Sequence, residues 1–198
     1  MTGWLYLTAA QNEWCQFPVS VFGAETAFAY LCTKNLTMHS ADRTPTVQIL
    51  DFKPQHAAAF KALNEEWITR YFVLEEADRV SLNNPQSYIL DKGGFILMAS
   101  YKGEIVGTCA LIKDGEGVYE LAKMAVTPKA QGLKIGKQLG EAAIAKAKTA
   151  GATKVYLVSN RKLDTALNLY RRLGFVEVPM PPSIYERADI KMELSLQP

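Results

Sequence analysis

The sequence predicts an α/β (α+β) fold: a mixed, mostly antiparallel central sheet of about seven strands with helices on both faces. Two observations carry this expectation. Three strand-like runs between Phe95 and Val126 are joined by short turns, Lys102-Gly103 and Asp114-Gly-Glu-Gly117, whose residues suit hairpins. Downstream, two strand–turn–helix blocks follow one another, Tyr119 to Ala147 and Lys154 to Phe175. Read in full, the order is β–α–α–β–β–β–α–β–α–β–β.

The recognisable domain is expected over 45–198, with 1–44 as an N-terminal extension. Met1 to Ala10 lacks the basic start of a signal peptide. A short helix is expected over Phe22 to Cys32, Asn35-Leu-Thr37 spells a glycosylation tripeptide, and Met38 is a candidate internal translation start. From there Val47 to Phe52 reads as a first strand. Pro54 suits a first helical position, and Phe60, Leu63, Trp67 and Tyr71 recur on one helical face. Glu75 to Arg79 reads as a charged turn whose Glu75, Glu76 and Asp78 are candidates to meet a cationic substrate. Asn84-Pro85 starts a short helix over Gln86 to Leu90, stopped at Gly93-Gly94. Phe95 to Tyr101 and Glu104 to Lys113 are strands, with Cys109 a small buried residue. Pro179 to Pro182 is a stiff connector, followed by Ile184 to Arg187 and a last strand, Asp189 to Leu196.

The chemistry concentrates in the first strand–turn–helix block. Tyr119, Leu121 and Ala125 alternate with Glu120, Ala122, Met124 and Val126 as a strand does. Pro128, with no N–H to donate, ends ladder pairing. After the loop Gln131 to Gly136, Ile135, Leu139, Ala143 and Ala147 fall at helical spacing. A strand, a glycine-bearing turn and a helix start make an anion site, because the first helical N–H groups and the macrodipole face the ligand. Five lysines and one acid between Lys129 and Lys148 add positive charge. A mononucleotide P-loop is excluded, since Gly136-Lys137 precedes Gln138 and not a hydroxyl residue. The three-glycine dinucleotide fingerprint is also missing.

What Gln131-Gly-Leu-Lys-Ile-Gly136 does resemble is the acetyl-CoA pyrophosphate loop of the GNAT superfamily of N-acetyltransferases, Gln/Arg-x-x-Gly-x-Gly/Ala. Lys134 stands where the first glycine of that loop usually stands. The second block, Asn160-x5-Ala166-x3-Tyr170-x3-Gly174-Phe175, is similar to the closing strand–helix of the same superfamily. The resemblance implies the GNAT fold and an acetyl-CoA-dependent N-acetyltransferase acting on a primary amine of a small molecule or protein. It implies that Gln131, Gly132, Leu133, Lys134, Ile135, Gly136 and Lys137 anchor the co-substrate acetyl-CoA. It also implies that the pantetheine enters between Lys123–Val126 and Leu157–Asn160, with main-chain groups of Met124, Ala125 and Val126 offered to it. The Met124 N–H would point at the thioester oxygen. Tyr170 matches the general acid, or is a core aromatic. Glu120, expected on the Met124/Val126 side of its strand, is the candidate base, or a structural carboxylate. Asn160 bonds the CoA or caps the next helix. Tyr185 and Arg187 fall in a connection that lines the acceptor pocket. The alternatives are a non-catalytic acyl-CoA sensor of the same fold and a transferase of a longer acyl group.

Composition bounds the rest. With 48% hydrophobic and 21% charged residues, the 198-residue chain is ordinarily globular. A net charge of +2 argues against a nucleic-acid or membrane partner. Cys15, Cys32 and Cys109 lack metal-type spacing and read as reduced thiols of a cytoplasmic protein. His39 and His56 are too isolated for a metal, so none is expected. Dimers are common in the superfamily, which makes a homodimer one expected state.

Overall fold

The computed structural model describes residues 46–196; the extension expected over 1–44, with its helix, tripeptide and Met38 start, lies outside the described residues. Seven strands form one sheet: β1 (Gln48–Asp51), β2 (Phe95–Tyr101), β3 (Glu104–Lys113), β4 (Val118–Val126), β5 (Lys154–Ser159), β6 (Val176–Val178) and β7 (Ile190–Ser195). Their order is β1-β2-β3-β4-β5-β7-β6. Every neighbouring pair is antiparallel except β4–β5, which is parallel. That is the mixed, mostly antiparallel sheet the turn chemistry predicts.

Both faces are covered, so the middle strands bury both sets of alternating side chains. On one face, α1 (Ala57–Tyr71) and α2 (Glu76–Asn83) pack Phe60, Ile68 and Leu82 against Ile96, Met98 and Ala110. On the other, α3 (Ile135–Thr149) and α4 (Asp164–Arg172) pack Ile135, Leu139, Ala143 and Leu167 against Leu97, Cys109, Leu111 and Leu121. The helical stripe read for α3 is the buried one. Among the described residues, no helix is long and apolar enough to cross a membrane.

Two local expectations are corrected. Tyr71 does not join the inner face of α1: it is 56% exposed, and Ile68 and Asn64, both fully buried, complete that face. The helix ends at Tyr71, and Phe72, one residue on, turns back edge-on to Trp67 at 6.4 Å. The charged stretch from Glu75 is also no turn, because Glu76 opens α2. The Asp78 carboxylate accepts the Glu75 N–H at 3.2 Å, half of a capping box, and acids in a first turn suit the helix dipole.

Candidate functional site

The parallel pair β4–β5 is bonded only at Val118↔Lys154, Tyr119↔Val155 and Glu120↔Tyr156. Beyond that point both strands continue, β4 to Val126 and β5 to Ser159, without pairing to each other. A wedge opens between them, where the sequence places it. An irregularity in β4 accompanies it. Lys123 adopts a left-handed conformation at φ 51°, and the β3–β4 register shifts between Thr108 and Ala110. One extra residue on β4 makes a bulge, which bends the strand and reverses which face each later side chain takes. Met124 and Val126 therefore pack on the α3/α4 side, with the Leu121 core. Glu120 lies on the opposite side, lining a cavity together with Lys123. The expectation that Glu120 shares a face with Met124 and Val126 is thus overturned by the bulge.

The loop after β4 runs Gln131 to Lys134 and enters α3 at Ile135. Lys134 takes φ 57° and ψ 22°, the left-handed conformation that a glycine at this position adopts without steric cost. The loop path therefore survives the lysine. Gln138 N donates to Lys134 O at 3.1 Å. The preceding N–H groups, from Gly132 to Lys137, meet no acceptor among the described residues. They form a row of free donors at the positive end of a 15-residue helix. Lys134 and Lys137 are exposed beside it. Gly136 has a separate use: a Cβ there would sit 3.2 Å from Leu169, so its absence lets α4 approach.

Tyr170 sits on α4, edge-on to Phe175 at 6.2 Å and beside Cys109, which lies in β3 where the bulge occurs. Gly174, at φ 95°, closes α4: its N–H donates to Arg171 O and that of Phe175 to Tyr170 O, both at 3.0 Å. This end fixes the Tyr170 backbone. Burial, then Cys109, pushes the Tyr170 phenol up to about 12, so it holds its proton at neutral pH. The Cys109 thiol, fully buried, is likewise pushed up to about 12 and is no nucleophile. Asn160 does not cap α4, which begins at Asp164. Its Oδ1 accepts the Lys162 N–H at 2.9 Å in an Asx turn, and its Nδ2 donates to Arg187 O at 2.6 Å. It ties the end of β5 to the last connection.

The cavity on the α1/α2 side has a volume of about 70 Å³ and is walled by Trp67, Phe72, Glu120, Lys123, Tyr185 and Arg187, among others. Sequence reasoning named Lys123 only as the start of the wedge edge and gave its side chain no role. Its ammonium bonds Asp78 Oδ1 at 2.9 Å and the Tyr185 hydroxyl at 3.1 Å. Arg187 grips the same Asp78 with two nitrogens, at 2.7 and 2.9 Å, and meets Glu75 at 3.0 Å. Glu75 also accepts the N–H groups of Glu186 and Arg187. The expectation that Glu75 and Asp78 meet a cationic substrate is therefore corrected: internal cations already occupy them. Glu76, exposed on α2, is outside this network. Asp78 is fully buried, and burial alone would raise its carboxyl, but Arg187 and then Lys123 hold it below the usual value. Lys123 is pushed down by burial, against the pull of Asp78, because it shares that one carboxylate with Arg187. Tyr185 and Arg187, read as pocket residues from the sequence, do line the cavity.

Glu120 is the exception in this wall. It forms no ion pair within 4 Å among the described residues. Burial pushes its carboxyl up, opposed by Lys123. A half-buried, unpaired carboxylate, a wedge in the sheet, a row of free N–H groups and a protonated phenol thus surround one stretch of β4.

The family model for the acetyltransferase (GNAT) family matches residues 58–175. A curated relative, the IAA acetyltransferase of Azospirillum brasilense, is 37% identical over 82 residues, which is 41% of this chain and 54% of that protein. The chain thus spans about half the length of that relative, and less of others. Among solved structures, a GNAT-family acetyltransferase from Staphylococcus aureus Mu50 superposes with a TM-score of 0.71 at 23% identity, over 77% of this chain and all of that one. A GNAT-family acetyltransferase from Brucella melitensis, solved with acetyl-CoA, gives 0.58 at 22% identity, over 77% and 89% of the two chains.

Proposed function

The chain belongs to the acetyltransferase (GNAT) family, and on that premise we propose that it is an acetyl-CoA-dependent N-acetyltransferase acting on a primary amine of a small molecule or a protein. The observation that carries this reading is the wedge between β4 and β5, with free N–H donors at one end and the unpaired Glu120 on its far side. The donor end suits a pyrophosphate. Gln131, Gly132, Leu133, Lys134, Ile135, Gly136 and Lys137 hold it through main-chain N–H groups and, at the two lysines, through charge. The unpaired edge of Met124, Ala125 and Val126 receives the pantetheine arm. The Met124 N–H donates to the thioester oxygen as charge develops on it, a contribution of roughly 2.7–4 kcal/mol in acyl transfer. Asn160 acts here by fixing the far wall of the wedge.

Three proton transfers remain. An alkylamine with a pKa near 10.4 arrives protonated, and Glu120 takes its proton directly or through water. Every other charged group in the cavity wall has an internal partner, so the cavity accepts one added cation at Glu120. At about 70 Å³ the cavity has room for the ammonium end of an amine. Tyr170, which keeps its proton at neutral pH, passes it to the departing thiolate and regains one from the positively charged nitrogen of the tetrahedral intermediate.

A thermal-shift titration tests the reading. Acetyl-CoA or CoA at about 100 times its Kd should add roughly 2.7 kcal/mol of stability, with no shift from ATP. Thiol release should then appear only when an amine acceptor is added. No shift with either CoA form would sink the proposal at its anchor.

A further inference from the structure

Among the described residues, Lys123 is the most anomalous. It is a lysine left only 7% exposed, in a left-handed conformation that costs a non-glycine residue energy. Neutralising Asp78 does not require it, since Arg187 already grips both oxygens of that carboxylate. Nor does a buried ion pair justify itself by stability, because apolar side chains of similar volume do as well or better. Its placement points elsewhere. Residues three apart on a regular strand face opposite ways, so Glu120 and Lys123 should lie on opposite sides of the sheet. The β4 bulge brings both to the same cavity.

We propose that Lys123 is a positioning residue of this cavity: clamped by Asp78 and Tyr185, its ammonium is the cation that keeps Glu120 a carboxylate. The other groups around Glu120 take a smaller part. Asp114, from the β3–β4 turn, is anionic and accepts the Tyr156 hydroxyl of β5 at 2.8 Å. Lys191, from β7, is paired with Glu193 at 3.1 Å. Arg187 is spent on Asp78 and Glu75, and Tyr185 is neutral, its phenol pushed up by burial. Among the charges acting on Glu120, Lys123 is the strongest, consistent with this geometry. The role of Glu120 in catalysis rests on the function proposed above; the control of its charge by Lys123 does not.

The test is a carboxyl-carbon NMR titration of full-length protein labelled at glutamate, with Glu120→Gln to assign the resonance. Lys123→Gln keeps a polar partner for Asp78 and Tyr185 but removes the charge, and Lys123→Met is a second neutral variant should the first fold poorly. In either, the Glu120 midpoint should rise by about one pH unit or more, the size of a single near charge. Lys123→Arg should leave it near wild type. An unmoved midpoint in a folded neutral variant overturns the inference. The acid limb of kcat/KM, measured in parallel, should rise with the midpoint and vanish in Glu120→Gln. A limb that stays put while the NMR midpoint moves overturns Glu120 as the base and leaves the control by Lys123 standing.

Discussion

Asp78→Ala strikes the point on which the acceptor side of the site is assembled. Asp78 is fully exposed to nothing but protein, and its carboxylate accepts from Lys123, from two nitrogens of Arg187 and from the Glu75 N–H. Arg187 keeps Glu75 when Asp78 is removed, at 3.0 Å. Lys123 keeps only the Tyr185 hydroxyl, and a buried cation without a counter-ion is the expensive consequence. Stranding one partner of a buried pair costs about 3–5 kcal/mol. For a domain of this size each kcal/mol lowers Tm by about 2–4 °C, so a drop of about 6–20 °C is expected. Urea unfolding at pH 7 is the assay. Adding Lys123→Met to Asp78→Ala removes the stranded charge and should recover about 0.5–3 kcal/mol. The pH dependence has a fixed sign. The folded Asp78 carboxyl titrates below its ordinary value of 3.8, so its stabilisation is full above that pH and is lost as pH falls through the folded value. The gap between wild type and variant should therefore narrow below about pH 4. A loss under about 1 kcal/mol at pH 7, or a gap that widens in acid, would refute this account of the network.

Further outcomes are expected elsewhere in the site. Glu120→Gln should stabilise the protein at neutral pH while lowering turnover. The folded carboxyl titrates above 4.5, so wild type bears the burial of a charge only at higher pH, and the gain should vanish in melts below about pH 4.5. Tyr170→Phe should cut kcat by about 10²-fold or more with the acetyl-CoA thermal shift unchanged, whereas a sensor of the same fold would show no turnover to lose. Lys134→Gly should keep the loop path and weaken acetyl-CoA binding only by the lost charge, and Lys134→Val, β-branched at φ 57°, should weaken it further in the same titration. Gly94→Ala, whose Cβ would meet Leu111 O at 2.5 Å and Ile89 O at 2.8 Å, should cost about 1–3 kcal/mol in urea unfolding without altering the Kd for CoA.

The elements of the proposed donor side were legible because its parts are written in contiguous sequence. Gln131 to Gly136 precede a helix whose stripe of Ile135, Leu139, Ala143 and Ala147 is unmistakable, and Tyr170 is pinned by Gly174 and Phe175 a few residues on. Local rules suffice there. The acceptor side is assembled from α1, α2, β4 and the last connection, where Asp78 and Arg187 are more than a hundred positions apart yet share two hydrogen bonds. A charged run such as Glu75 to Arg79 looks like solvated surface when its buried partners come from elsewhere in the chain. Tyr71 was misread for a smaller reason, since the helical period says which face a residue takes but not where the helix stops covering the core.

The β4 bulge shows why the two sides of the site could not be read with equal ease. Alternation assigned Glu120 to the face of Met124 and Val126, and it would be right for a regular strand. One left-handed lysine reverses that phase, and this reversal is what lets one strand serve two chemistries. Met124 packs against the same core as Tyr170, while Glu120 and Lys123 are delivered to the cavity on the opposite face. Had β4 continued in register, Met124 and Val126 would share the face of Glu120, as alternation expects. The same bulge accompanies the loss of pairing to β5 that makes the wedge. A local departure from strand geometry, invisible to periodicity, thus puts the two faces of β4 to different uses, and under the proposed function it separates the route of the thioester from the route of the amine.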